Sequence, residues 1–489
     1  MTSVPEIRIQ LCNEAPIRPD GEFVLYWMTA FRRLGWNFAL QHAAGRARRL
    51  GRPLVILEPL RAGYPWACDR FHRFVLDGMA VHARRLARSN ALYYPYVEPR
   101  PGAGKGLLEA LAARACVVVA DDSPGFFLPR MVDAAGRRLK VRMEKVDANG
   151  LLPLRAADHA FTAAFHLRRF LQKTLPGHLG DFPHADPLRK LPPRLESLPA
   201  EILKRWPPGA ETSLSGLPID HDVPPVPGIQ GGGEAAAATL ERFLDERLET
   251  YGEGRNQPDE ETTSGLSPYL HFGHVSSHQI FAALAGREEW TPERLGQGSR
   301  GAVEGWWGMS PAAEKFLDEA VTWREVGYNM AFHHPDSDRY ESLPDWALRT
   351  LGKHEADPRP NLYPLEDFEA ARTQDEIWNA AQTQLVREGR IHNYLRMLWG
   401  KKVLHWSKTP REALAVLIQL NNRYALDGRD PNSYTGIFWC LGRYDRPWAP
   451  ERPVFGTVRY MSSESARRKL RLDRYLSRYA PGGQQLSLV

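Results

Sequence analysis

Two runs decide how this chain is read: Ile391-His-Asn-Tyr-Leu-Arg-Met397, and after it Asp427-Gly-Arg-Asp-Pro-Asn432. Both lie in a stretch bounded by Trp378 and Trp439 that also holds Trp399 and Trp406. Between Gly389-Arg390 and Pro410 the residues read as one helix. On it His392, Arg396, Trp399, Val403 and Trp406 fall at i, i+4, i+7, i+11 and i+14 and so share one face. A face with a cation, a histidine and two indoles is a poor ordinary core stripe. It suits an aromatic, planar, anionic cofactor with a path of rings leading away. Burial explains any one of these tryptophans taken alone; it does not explain the arrangement.

Working outward, the chain has 489 residues, enough for two to four domains and an ample core. Hydrophobic residues make up 43% and charged residues 25%, ordinary for a water-soluble globular protein. No apolar run is long enough to span a membrane, and Met1–Glu6 lacks a signal-peptide pattern, so a cytoplasmic protein is expected, nucleoid-associated if bacterial. Cys12, Cys68, Cys116 and Cys440 are far apart and form no CxxC pair, which argues against zinc, iron–sulfur clusters and a disulfide framework. His271, His274 and His278 have a spacing a metal could use, but the run around them is better explained without one. The net charge of +6 is compatible with a polyanion partner and does not prove one.

Residues 1–175 alternate strand and helix. Apolar strands are expected at 23–28, 53–58, 91–97, 116–120 and 139–146, with helices between them at 35–50 and 69–89. That pattern predicts a doubly wound parallel sheet, a Rossmann-like α/β domain that binds ligands at the carboxyl ends of its strands. Gly102-Ala-Gly-Lys-Gly106 is a plain loop, because Gly106 stands where a P-loop needs Ser or Thr. Residues 176–233 are rich in proline and glycine and read as an interdomain linker. From 234 to 489 the chain reads as all-α, with helices at 234–251, 278–289, 312–332, 376–388, 391–407 and 411–426. Ser264-Gly-Leu-Ser267 sets two hydroxyls around a glycine just before a helical stretch. This suits either phosphate binding at a helix N-terminus or ordinary capping. Between Glu451 and Tyr479 eight basic residues, among them Arg452, Arg459, Arg467, Arg468 and Lys469, face three acids with tyrosines interleaved. The cluster is a solvated helix face or a surface that tracks DNA phosphates.

The region from 378 to 461 resembles the flavin-binding core of the DNA photolyase/cryptochrome family. Asp427–Asn432 with Tyr434-Thr-Gly436 and Trp439 is similar to the class II branch, which repairs cyclobutane pyrimidine dimers. So are Asp445-Arg-Pro-Trp448, Glu451–Gly456 and Val458–Met461, and upstream Ser264–Gly273 and Thr322-Trp-Arg-Glu325. The likeness is dense in the C-terminal half and looser in the N-terminal half. It implies FAD, anionic and reduced in the active state, and an N-terminal domain that can hold a deazaflavin or folate antenna, whose presence the sequence does not identify. It assigns FAD contacts to Tyr251, Ser264, Gly265, Leu266, Ser267, Arg324, Asn393, Arg396, Asp427 and Asp430. A buried arginine must be paired, and Asp427, one helical hairpin after Arg396, can return to it. Asn421 matches the family asparagine that faces flavin N5.

For substrate, Glu319, Trp323, Met397 and Trp439 match the class II lesion pocket. Joined pyrimidines must leave the duplex to react, and Trp323 and Trp439 offer flat walls for them. Trp378, Trp399 and Trp406 correspond to the electron-transfer chain that re-reduces the flavin, and Tyr363 matches a tyrosine beside it. One departure stands out. Asn393 occupies a position where class II proteins carry glycine, so His392-Asn393 with Arg396-Met397 is similar to the class I version, in which the asparagine contacts FAD. Ile391 and Tyr394 also differ from the commonest class II pattern. The expected protein is a monomer that acts on dimer-containing DNA, with a cryptochrome-like photoreceptor lacking repair activity as the rival. Only about ten residues follow Tyr479, no long signalling tail.

Overall fold

A computed structural model describes residues 3–209, 212–298 and 300–480. Six strands form one sheet in the order β1-β6-β5-β2-β3-β4: β1 Ile9–Leu11, β2 Phe23–Trp27, β3 Leu54–Leu60, β4 Ala91–Val97, β5 Ala115–Asp121 and β6 Met143–Val146. Five strands are parallel, and β1 is added antiparallel at the β6 edge. Side chains alternate along β2. Val24 and Tyr26 enter the core on the face that also holds Phe38, Ala43 and Ala47, whereas Phe23, Leu25 and Trp27 enter the other. Both faces are covered, which is why the strands read as unbroken apolar runs.

Several boundaries differ from expectation, each for a local reason. Helix α1, Phe38–Leu50, starts three residues late because Asn37 accepts from the amides of Ala39 and Leu40 and caps it. Helix α2 spans Asp69–Leu86. The last strand starts at Met143 rather than 139, since Leu139 still donates to Ala135 O and closes the preceding helix. Strand β1, only three residues long, carries no periodic signal and was not expected. The helix expected at 234–251 breaks at Arg247 into α3 (Gly233–Glu246) and α4 (Leu248–Gly254).

The proline-rich segment wraps the sheet domain. Leu191 joins one face of its core, and Leu198, Ile202 and Trp206 join the other. Beyond it lies the helical half: α5 (Pro311–Leu317) and α6 (Arg324–His333), joined by a π-helical turn Asp318–Trp323, then α7 (Glu376–Glu388), α8 (Asn393–Trp406), α9 (Pro410–Tyr424), α10 (Pro431–Cys440), α11 (Ser463–Lys469) and α12 (Asp473–Tyr479). Helix α7 begins on an Asp375 cap and ends at Gly389 with φ +65°.

The halves lock through buried cations. Arg70 on α2 donates to Tyr424 O at 2.6 Å and Val386 O at 2.7 Å, at the ends of α9 and α7. Arg429 lies 3.6 Å over the Phe71 ring. Three glycines let neighbours press on α10. A Cβ on Gly400 would lie 2.3 Å from Cys440 Sγ, one on Gly327 2.5 Å from Thr435 Oγ1, and one on Gly125 2.9 Å from Pro431 Cδ. No helix of the described residues is long and apolar enough to cross a membrane.

Candidate active site

The turn after α9 brings Asp427 back to α8. Leu426 N donates to Gly389 O at 2.8 Å, which ties this turn to the junction between α7 and α8. Arg396 Nη2 then lies 3.5 Å from Asp427 Oδ2. The pair is less sealed than the sequence suggested, with side chains 20% and 14% exposed, and Asp427 Oδ1 is buried without a hydrogen-bond partner. Asn421, buried in the last turn of α9, donates through Nδ2 to Ser433 Oγ at 2.9 Å and Asn422 Oδ1 at 3.2 Å. Asn393, the first residue of α8, is exposed. His392 stands at the N-cap position of that helix without a side-chain cap bond, and its buried ring nitrogens make no well-formed hydrogen bond, although the ring comes close to the Arg255 backbone. Burial and then Arg390 pull its pKa down to about 4, so the ring is neutral.

The π turn carries Glu319 and Trp323. An inserted residue of this kind re-aims side chains within an otherwise regular helix and is frequent at functional sites. Arg255 Nη1 donates to Glu319 Oε1 and lies 5.8 Å over the ring of buried Tyr251. Burial raises the Glu319 carboxyl, with Arg255 opposing, and burial and Glu319 push the Tyr251 hydroxyl up to about 12. Trp323 and Trp439 stack on each other, centroids 4.7 Å apart and planes at 16°. They form one continuous half-buried wall rather than two facing ones. Met397, half-buried, lies on α8 one residue beyond Arg396.

Ser264 Oγ accepts from Leu266 N at 3.4 Å, Gly265 has φ +70°, and Leu266 enters the core. Ser267 is exposed at the head of the one-turn helix Ser267–His271. Thr262, just upstream, has a buried, unpartnered hydroxyl. Sequence reasoning passed over it, although the run Thr262-Thr-Ser264 was a signal.

Arg324 and Asp430 lie under α10, and His271, which faces Asp430, is also within the field of Asp427. Arg324 donates to Asn149 O at 2.8 Å and lies 4.1 Å over Tyr328. Asp430 Oδ1 caps Asn432 N at 2.8 Å, while Oδ2 accepts from Tyr328 at 2.8 Å and lies 3.3 Å from His271 Nδ1. Burial alone would raise this carboxyl; His271, Arg324 and Tyr328 outweigh it and hold it low. Both of its oxygens are taken by the protein.

Three of the buried unpartnered side chains, Asp427, His392 and Thr262, lie on segments that touch one another. Asp427 Oδ1 lies beside Arg396. One turn back is His392, whose ring is close to the backbone of Arg255, and Thr262 presses on Gly254. Unsatisfied buried polar groups are costly, and three of them on adjoining segments suit a ligand that brings several polar groups of its own.

The tryptophan rings of α7 and α8 are sealed from solvent. Trp399 and Trp378 are parallel within 7° at 6.4 Å, Trp378 meets Trp406 at 6.0 Å, and Trp406 meets half-buried Tyr363 at 5.4 Å. Trp378 Nε1 donates to Trp399 O and Trp399 Nε1 to Gln382 Oε1, each at 3.0 Å. The order is therefore 399, 378, 406, 363, with the α7 tryptophan between the two on α8.

The C-terminal basic cluster is partly neutralised by acids from distant segments. Arg467 pairs with Glu376, Arg471 with Glu260, and Arg478 with Glu261 and Glu388. Arg452, Arg459, Arg468 and Lys469 are exposed and have no ion pair among the described residues. Arg459 lies 5.1 Å over Trp448, itself 37% exposed. Among the described residues no three His, Cys, Asp or Glu side chains are grouped to hold a metal ion.

No family model matches the chain. Individual relatives do. A deoxyribodipyrimidine photo-lyase of Methanothermobacter thermautotrophicus is 33% identical over 472 residues, spanning 94% of this chain and 95% of the relative. Proteins of the same name from Arabidopsis thaliana and Potorous tridactylus are 32% and 31% identical, cover 97% of this chain, and are themselves covered to 93% and 84%. A crystal structure of a bacterial class III photolyase from Agrobacterium tumefaciens superposes with a TM-score of 0.66 at 18% identity, covering 94% of this chain and 86% of that one, a likeness of fold.

Proposed function

We propose a function on the premise that this chain belongs to the photolyase/cryptochrome family, that of the deoxyribodipyrimidine photo-lyases it is similar to. It repairs cyclobutane pyrimidine dimers in DNA by light, with FAD as cofactor and with the class II type of lesion pocket that the motifs at 427–439 suggest. The observation that carries this reading is the half-buried stack of Trp323 on Trp439 beside Glu319, in the helical half that also holds the unpartnered Asp427, His392 and Thr262 side chains.

Asp427, His392 and Thr262 offer the free polar atoms, and Arg396, Asn421, Asn393, Tyr251 and the Ser264–Ser267 turn complete the cradle. When bound, reduced FAD supplies the light-driven electron that opens the cyclobutane ring and receives it back. Arg396, only half-neutralised by Asp427, favours negative charge at the ring system. Trp323 and Trp439 together support one flat face of the flipped dimer and keep water from it, and Met397 adapts to its edge. Glu319, its carboxyl raised, hydrogen-bonds a base carbonyl once it turns from Arg255. Trp399, Trp378 and Trp406 carry electrons to the cofactor pocket between turnovers. Arg324 and Asp430 support α10 from below. Arg452, Arg459, Arg468 and Lys469 hold phosphates without reading sequence, while Arg467 is held by Glu376.

The test uses the chemically reduced protein, an oligonucleotide with one thymine dimer, and blue light. Dimers are expected to disappear with light and to persist in the dark. If reduced protein splits none and does not prefer the lesion, the photoreceptor reading takes over.

A further inference from the structure

Lys401, on α8, is 1% exposed. No carboxylate pairs with it among the described residues, in contrast to its neighbour Lys402, whose ammonium lies 3.2 Å from Asp375. Instead Lys401 Nζ donates to Cys440 O at 2.7 Å and Trp439 O at 3.4 Å, the last two residues of α10. The final carbonyls of a helix lack internal partners and carry its negative dipole end. A buried cation is costly, and an apolar chain of the same length would fill this space without that penalty. Packing alone therefore does not explain a lysine here. Its short bond is to Cys440 O, the residue after Trp439; the Trp439 carbonyl also accepts from Gly442 N at 3.1 Å, and the Trp439 indole stacks on Trp323.

We propose that Lys401 is a positioning residue for the lesion pocket: its ammonium caps α10 and fixes the Trp439 ring in register with Trp323. The inference rests on the reading of Trp439 as the lesion wall. Burial pulls Lys401 down to about 8; Cys440 and Asp445 oppose that fall and Arg459 adds to it, and these are the titratable groups that bear on it. As the pH rises through that value the ammonium becomes a neutral amine, a weaker donor, and the end of α10 loosens. Overall fold stability moves the other way. With the folded value near 8 and the ordinary one at 10.5, the unfolded chain binds more protons between them, so this group makes the fold more stable as pH rises there. Loss of lesion binding in that window is then not unfolding caused by Lys401.

The experiment measures, in the dark at constant salt, the affinity of the FAD-loaded protein for a duplex with one thymine dimer and for the same duplex undamaged, from about pH 6.5 to pH 9. Wild type is expected to lose about tenfold of its dimer preference across the range, a change in the span of helix-end charge interactions. Lys401→Met is expected to start at the lower preference and stay flat, with undamaged binding unchanged. A flat wild-type profile, or a pH dependence that persists in Lys401→Met, overturns the proposal. If Lys401→Met does not fold, the wild-type profile decides by itself. Trp439→Ala is measured alongside. If it keeps full dimer preference, the reading of the pocket has failed; if it loses preference while Lys401→Met behaves as wild type, only the role of Lys401 has.

Discussion

Two groups of tryptophans in this protein make similar ring contacts in different settings. Trp399, Trp378 and Trp406 are 3%, 0% and 2% exposed, and the indole nitrogens of Trp399 and Trp378 donate to protein acceptors. Trp323 and Trp439 stack more closely yet remain half-buried, and neither indole nitrogen has a hydrogen bond among the described residues. Ring stacking therefore does not tell a conduit from a binding surface. What separates them is burial: all three rings of the first group are sealed, although Trp406 has no hydrogen bond at its indole nitrogen among the described residues, whereas both rings of the second are half-buried. A sealed ring has nothing to offer a ligand, whereas an unsatisfied edge facing solvent does.

Truncation would test that contrast most strongly. Trp378→Ala should cost about 3–5 kcal/mol of stability, the usual range for a large core ring, whereas Trp439→Ala should stay within about 1 kcal/mol; thermal melts of both decide it. Equal losses would erase the distinction. The milder Trp378→Phe should stop photoreduction of oxidised FAD yet leave repair by chemically reduced enzyme intact, because Trp378 is the step between Trp399 and Trp406.

Protons sharpen the contrast next. His392, at the head of the helix that carries Trp399 and Trp406, is held neutral at about 4 against an ordinary 6.5. Its contribution is fully present above pH 6.5 and is lost as pH falls through 4, amounting to about 3 kcal/mol at roughly 1.4 kcal/mol per unit. Denaturant titrations from neutral to acid pH should show His392→Gln losing less stability than wild type. Parallel curves would mean that the imidazole is not buried neutral.

On the binding side, Trp439→Ala should weaken affinity for dimer-containing DNA by roughly 1–3 kcal/mol. Undamaged DNA should bind as before and weaken with salt. A uniform loss on both duplexes would make Trp439 a general contact rather than a lesion wall. The smallest effect belongs to the end of the ladder. Tyr363→Phe removes only the oxygen that accepts from Gln374 N, so stability should change by about 1 kcal/mol or less and photoreduction should slow without stopping.

Much of this was legible in sequence because local rules and tertiary structure agreed. Asp375 and Gly389 bracket α7 as cap residues should, and the runs at 391–397 and 427–432 meet through Arg396 and Asp427. The ladder was legible only in membership. Residues seven apart on a helix are about 10 Å apart along its axis, so Trp399 and Trp406 need a ring from another helix between them, and no spacing within α8 reveals Trp378. The mutual stack of Trp323 and Trp439 was hidden for a similar reason: it joins a π turn to a helix more than a hundred residues later. The partners of the basic C-terminus, Glu376 for Arg467, Glu260 for Arg471, and Glu261 and Glu388 for Arg478, were not legible because they are remote in sequence. Arg324 and Asp430 were grouped with the ligand contacts by motif; their protein partners beneath α10, Asn149, Tyr328 and the Asn432 amide, were not legible in the spacing.

The three glycines that press on α10 bear on how the protein reads in a survey of random substitutions scored by survival under ultraviolet light. Gly400, Gly327 and Gly125 come from α8, α6 and the loop after β5, and each meets α10 closer than a methyl group allows. Alanine at any of them forces a residue of α10, the helix that presents Trp439, to give way. Such a survey would mark a functional footprint that spreads from the helical half into the sheet domain, much wider than the surface that touches DNA, and a site drawn from intolerance alone would overstate its size.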